Sequence, residues 1–129
     1  MPEIQYVDVP DYPAAHSPYS HAVVANGFVF VSGQIPVRSG GGPTEVIGNT
    51  MQEQTRQALR NVQAILVAAG SSLERVVSVT VILLEEADFA GMNEEWTKWF
   101  PMNPPARQGA KLPVRIPGTR VSIAAIAEA

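Results

Sequence analysis

The chain contains no cysteine. That one absence excludes disulfides, iron–sulfur clusters, thiolate metal sites and a cysteine nucleophile together. Histidine is nearly as scarce. His16 and His21 are the only two, they flank a proline turn, and no acidic cluster stands with them to complete a metal site. Charged residues make up 16% of the chain, with a net charge of −3, so the basic footprint that sequence-independent nucleic-acid binding requires is missing. No apolar run approaches the ~20 residues of a membrane span, and neither end carries a charged segment leading into an apolar one. There is no G-x-S-x-G elbow, and Gly40-Gly41-Gly42 lacks the lysine of a phosphate-binding loop. The expectation is a cytoplasmic protein with no metal or other cofactor and with neither nucleic acid nor membrane as a partner.

What is present fits one globular unit. A length of 129 residues, 46% of them apolar, supports one core and is short for two, so residues 1–129 read as a single domain. A small domain with few charges often hides apolar surface in an oligomer. Residues 1–20, with four prolines and three tyrosines, read as an extended arm with turns. His21 to Ala25, Asn26-Gly27 and Phe28 to Ser32 form a hairpin signal, because Asn-Gly supplies the positive φ of a two-residue type I′ turn. Arg38 to Pro43 reads as a loop.

From Thr50 to Ala69 the apolar period changes to three and four, which predicts a five-turn helix. Thr50 and Glu53 fit a capping box, and Gly70 fits the position just past the helix end. Val76 to Leu84 reads as a strand with Val77, Val79, Val81 and Leu83 on one face. Its other face carries Val76, Ser78, Thr80, Ile82 and Leu84, so both faces call for cover. Phe89, Met92, Asn93, Trp96 and Phe100 make a second helical stripe, followed by strands at Ala106–Leu112 and Arg120–Ala127. The resulting class is α+β.

Arg107 is the residue whose surroundings suit chemistry. On a strand it shares a face with Gly109 and Lys111, and Gly109 leaves room above the backbone beside the guanidinium. A guanidinium forks onto a carboxylate through two parallel bonds. The competing reading is a surface arginine at a strand end. Ser32-Gly33 closes an apolar strand where a ligand could approach backbone N–H groups, or where the chain simply turns. Tyr19 reads as a hydroxyl donor or as a lid on the core. Asn93 lies on an apolar stripe and needs a partner, either a packing neighbour or a ligand. Trp96 and Trp99 read as packing.

Taken in order, these segments resemble the RidA/YjgF family of enamine/imine deaminases. The matching pieces are Ser17-Pro18-Tyr19, Val31-Ser32-Gly33-Gln34-Ile35-Pro36, Gln54-Thr55 through Asn61-Val62 to Ala68-Ala69-Gly70, Asp88-Phe89, Met92-Asn93, Pro105-Ala106-Arg107 and Ala125-Ile126-Ala127. The resemblance implies a chorismate-mutase-like fold, with a six-stranded mixed sheet backed by two helices in a homotrimer, and with sites between subunits. It implies that Arg107 grips the carboxylate of a 2-imino or enamine acid, helped by Tyr19, Ser32, Gly33 and Asn93. Water then replaces the imine nitrogen, giving a 2-oxo acid and ammonia.

Two positions depart from the family's usual pattern. Gly109 stands where a cysteine is common, and Ala124 where a last-strand glutamate often positions the water. Together they are expected to enlarge the pocket, which would suit a bulkier acid such as an aminomuconate-like one. The resemblance also leaves a carboxylate-binding or regulatory protein without turnover as the alternative. An RNA-cleaving role sits poorly with the negative charge.

Overall fold

The structure is a computed structural model that describes residues 3–9, 19–38, 42, 45–111, 113 and 116–129. It has six strands, β1 (Gln5–Val7), β2 (Ala22–Ala25), β3 (Phe28–Gln34), β4 (Val76–Leu83), β5 (Ala106–Lys111) and β6 (Val121–Glu128), and two α-helices, α1 (Met51–Ala68) and α2 (Phe89–Trp99). The strands form one mixed sheet in the order β1-β2-β3-β6-β4-β5. Only the β4–β5 pair is parallel, and α2 supplies the crossover that a parallel pair requires. β3 and β4 both run antiparallel to β6, so β3-α1-β4 is a βαβ unit split by the last strand. No helix among the described residues is long and apolar enough to cross a membrane.

Local chemistry accounts for the elements that position the site. Asn26 and Gly27 both have positive φ, at 50° and 83°, as the type I′ turn between β2 and β3 demands. Thr50 and Glu53 close the capping box of α1. At the other end, Gly70 N–H donates to Val67 and Ser71 N–H to Leu66, a Schellman ending that the positive φ of Gly70 permits.

The structure differs from expectation in three places. Gln5–Val7 pairs with β2 as an edge strand, where composition indicates only an extended arm. Three residues are too few to carry a period, and pairing rather than pattern makes them a strand. In β4 it is Val76, Val79, Val81 and Leu83 that are buried, while Val77 is exposed. The register against β6 shifts between Val76 and Ser78, so Val77 is the extra residue of a bulge and the faces exchange there. β6 runs one residue later than expected, and β5 ends at Lys111, with Leu112 outside the described residues.

Both helices cover the same face of the sheet, where Val29, Val31, Val79, Val81, Ile123 and Ala125 meet Leu59, Val62 and Leu66 of α1 in one core. The opposite face carries Phe28, Phe30 and Val77, each about two-fifths exposed in a single chain.

Two ion pairs fix α2 in this framework. Asp88, just before α2, receives two bonds from Arg120. Glu95, buried within α2, accepts from Arg56 Nε and Nη2, each at 3.1 Å, and from the Trp99 indole at 2.9 Å. Burial pushes the Glu95 carboxyl up, but the Arg56 and Trp99 bonds and the charges of Arg56 and Lys98 together hold it below its ordinary value. A depressed carboxyl contributes stability that is fully present above the unfolded-state pKa, about 4.3, and is lost as the pH falls through the lower folded value. Glu95→Gln is therefore expected to lower the melting temperature by roughly 3–6 °C at pH 7. The difference from wild type should close below about pH 4. Thermal denaturation across pH checks this, and a gap that stays constant down to acid pH would contradict it.

Candidate carboxylate site

Arg107 lies on the edge strand β5 opposite Val79 of β4, which places it on the face that the helices cover. Phe89, Met92, Asn93 and Trp96 recur at helical spacing along α2 and turn the same side toward β5. The guanidinium carbon sits 4.9 Å from the Trp96 ring centroid and 5.6 Å from that of Phe89, a stacking arrangement that suits the planar group. Arg107 Nη1 donates to Asn93 Oδ1 at 2.7 Å and lies 3.7 Å from the Met92 sulfur. The side chain is thus held in place by aromatic faces and one neutral acceptor.

Its electrostatic situation differs from that of Arg38, Arg56 and Arg120, each of which faces a carboxylate at ion-pair distance. Among the described residues Arg107 has no acidic partner, so its remaining N–H groups stay available. They open onto a cleft of about 460 Å³ between α2 and the parallel β4–β5 pair, walled by Val81, Leu83, Phe89 and Met92 and floored by Gly109. The cleft has apolar walls and a single guanidinium fixed at one end. That combination suits an organic anion with a carboxylate head.

Asn93 and Gly109 therefore join Arg107 as expected, and of the two readings open for Asn93 the packing partner proves to be Arg107 itself. Tyr19, Ser32 and Gly33 lie elsewhere in the chain. Ser32 and Gly33 together oppose Ala124, because the β3–β6 register shifts by one between Val31 and Gln34. Three strand spacings of ~4.8 Å, roughly 14 Å in all, separate this bulge from β5. Ser32 Oγ donates to the Ser20 carbonyl at 2.6 Å, which ties the Tyr19 segment to the bulge. Tyr19 itself is exposed. A side-chain carbon at Gly33 would come within 2.8 Å of Ser122 Oγ, so a substitution there would require the Ser122 hydroxyl to turn away. One chain thus holds the candidate residues as two separate groups, Arg107–Asn93–Gly109 and Tyr19–Ser32–Gly33.

The expectation that Gly109 and Ala124 enlarge one pocket is corrected within a single chain. Gly109 pairs with Val81 on the helix-covered face. Ala124 alternates with the buried Ile123 and Ala125 and so faces the other side. His21 is occupied structurally, its Nδ1 accepting the Val9 N–H at 3.0 Å. His16 and Ser17 lie outside the described residues.

A family model described as Endoribonuclease L-PSP matches residues 10–129. The chain belongs to this family, that of the YjgF/RidA proteins. Among its L-PSP relatives, the human 2-iminobutanoate/2-iminopropanoate deaminase is 36% identical over 115 residues, covering 89% of this chain and 82% of that one. The yeast structure of YEO7 superposes with a TM-score of 0.90 at 32% identity, covering 98% of both chains. The E. coli TdcF structure with bound serine gives 0.85 at 33%, covering 97% of this chain and 98% of that one. The six-stranded mixed sheet with two helices is thus the family's architecture.

The stacking of Arg107 on Phe89 and Trp96 and its contact with the Met92 sulfur are not read from the sequence, where Trp96 reads as packing and the other two only as members of a helical stripe. The available signal was their common face with Asn93, itself in need of a partner. Glu85 and Glu86 at the rim of the cleft are not read from the sequence either, and they meet Lys111 only through the β4–α2–β5 crossover.

Proposed function

We propose that the protein hydrolyses small 2-imino and enamine carboxylic acids to 2-oxo acids and ammonia, with Arg107 holding the substrate carboxylate. The observation that carries this reading is a guanidinium stacked on Trp96 and oriented by Asn93, with no acidic partner among the described residues, at the head of an apolar cleft. The activity named for the human relative and the serine bound in the TdcF structure support it, since each involves a small amino or imino carboxylic acid.

In the proposed reaction Arg107 forks onto the carboxylate and fixes the adjacent C=N group over the strand edge. An enamine first gains a proton on carbon to become the imine. Water then adds to the carbon of the protonated imine, and the C–N bond breaks. One iminium ion and one water give one 2-oxo acid and one ammonium ion. β5 is an edge strand, and its outward backbone carbonyls can orient the water where no side-chain base stands. The room beside Gly109 also admits a bulkier acid.

The two groups become halves of one site if copies of the chain assemble. We therefore place the working site between subunits of a homotrimer, where Tyr19, Ser32 and Gly33 of one copy meet Arg107 of the next. The exposed Phe28, Phe30 and Val77 of the uncovered sheet face are the apolar surface such an assembly would bury. Light scattering is expected to give three times the 13.8 kDa chain mass at micromolar concentration. A monomer mass would refute the shared site.

The direct test is release of ammonia and 2-oxo acid from 2-iminopropanoate and 2-iminobutanoate generated in situ, compared with the rate without protein. A carboxylate-binding or regulatory protein without turnover is the second reading, favoured by Ala124 at the position where a carboxylate would position water. It predicts Arg107-dependent binding with no rate above background. The RNA-cleaving activity in the family's description has little support in a chain of net charge −3 whose cleft is rimmed by Glu85 and Glu86.

A further inference from the structure

The cleft is larger than the smallest 2-imino acids require, and its lining indicates what fills the rest. We infer that the preferred substrates carry a bulky apolar side chain of leucine size or larger, aliphatic or aromatic, rather than a second carboxylate, and that Gly109 is the residue that admits it. The inference rests on the carboxylate-anchoring role proposed for Arg107.

Three observations carry it. The first is depth. Gly109 lies two residues beyond Arg107 on the same face of β5, and a carbon added there would meet nothing closer than the Val81 carbonyl at 3.5 Å, an ordinary contact. The strand can therefore accept a side chain at this position, and its absence leaves open space rather than relieving a clash. No positive φ calls for glycine there either. The second is the character of the walls. Moving away from the guanidinium, the cleft is lined by Val81, Leu83, Phe89 and Met92, which offer contact area but no hydrogen-bond partner for a polar tail.

The third is the charge at the far end. Glu85 and Glu86 stand at the rim, and the one cation there among the described residues, Lys111, already lies 3.7 Å from Glu86. A second carboxylate reaching out from Arg107 would meet more negative charge than positive, and like charges brought together disfavour binding. An apolar tail stops short of the rim and meets only the walls.

Calorimetric titration with three product-side acids reads this out: 2-oxobutanoate, 4-methyl-2-oxopentanoate and 2-oxoadipate, the last matched in carbon number to the second. Wild-type protein is expected to bind 4-methyl-2-oxopentanoate about tenfold more tightly than 2-oxobutanoate, from burial of two further carbons. It should also bind that acid more tightly than 2-oxoadipate. Gly109→Val should bring the first ratio to about one, and Gly109→Ala should give an intermediate value, so that a poorly folded valine variant does not decide the matter. Equal or tighter binding of 2-oxoadipate would overturn the inference, as would a ratio that Gly109→Val leaves unchanged in folded protein. If all three acids bind alike and Arg107→Ala abolishes all three, the anchoring role stands and only the side-chain preference fails. If none binds, both fail.

Discussion

Arg107→Ala is expected to abolish the rise in melting temperature that 2-oxo acids produce in the wild-type protein. A ligand that binds only the native state stabilises it by mass action, so the shift reports occupancy of the site. Charge-assisted hydrogen bonds contribute roughly 1.5–3 kcal/mol each, and losing a forked pair should weaken binding by at least about 10²-fold. The substitution also removes the stack on Trp96 and Phe89 and the bond to Asn93. The ligand-free melting temperature of the variant is therefore the baseline against which its shift is read. Arg107→Lys should retain a smaller shift, because an ammonium supplies charge without the planar fork. An undiminished shift in Arg107→Ala would place the site elsewhere.

Ala124→Glu is expected to raise the rate on 2-iminopropanoate and 2-iminobutanoate, which in the wild type should exceed the uncatalysed rate only modestly. A side chain that positions water or moves its proton typically contributes ~10²–10⁴-fold. Ala124 lies across from the Ser32–Gly33 bulge and beside Thr80, so a glutamate there would emerge within the half-site that the proposed assembly brings to a neighbouring copy's Arg107. The gain should fall at acid pH as the new carboxylate protonates, and it should vanish in the double variant with Arg107→Ala. A carboxylate placed at an interface also costs stability if left unpaired, so the rate is read on protein shown to be folded and assembled. A folded Ala124→Glu protein with no gain would mean that water is oriented from elsewhere. A wild-type rate equal to that of the Ala124→Glu protein would mean that Ala124 costs nothing.

The elements legible in the sequence were those whose information is local. The Asn26-Gly27 turn, the Thr50–Glu53 capping box and the three-and-four period of α1 each fix backbone geometry within a few residues, and each reappears in the structure. The short strand β1 was not legible because its three residues become a strand only through pairing with β2. The bulge at Val77 was not legible either, since it is a property of two strands in register and the run of valines reads equally well in either phase. The site divides in the same way. Arg107 and Gly109 lie on one strand face, and strand periodicity alone brings them together. Asn93 and the Trp96 shelf meet Arg107 through tertiary packing of α2, and the rim charges meet only through the crossover. That Gly109 and Ala124 face opposite sides of the sheet required the topology, because they belong to strands β5 and β6 that do not touch.

The most direct test of the central claim is a crystal structure of the protein with 2-oxobutanoate. The carboxylate is expected forked on Arg107, with the ligand's chain running over Gly109 toward Leu83 and the Ser32–Gly33 bulge of an adjacent copy closing the cleft. A 2-oxobutanoate bound away from Arg107, or an Arg107 cleft left empty while the ligand occupies another site, would contradict the claim.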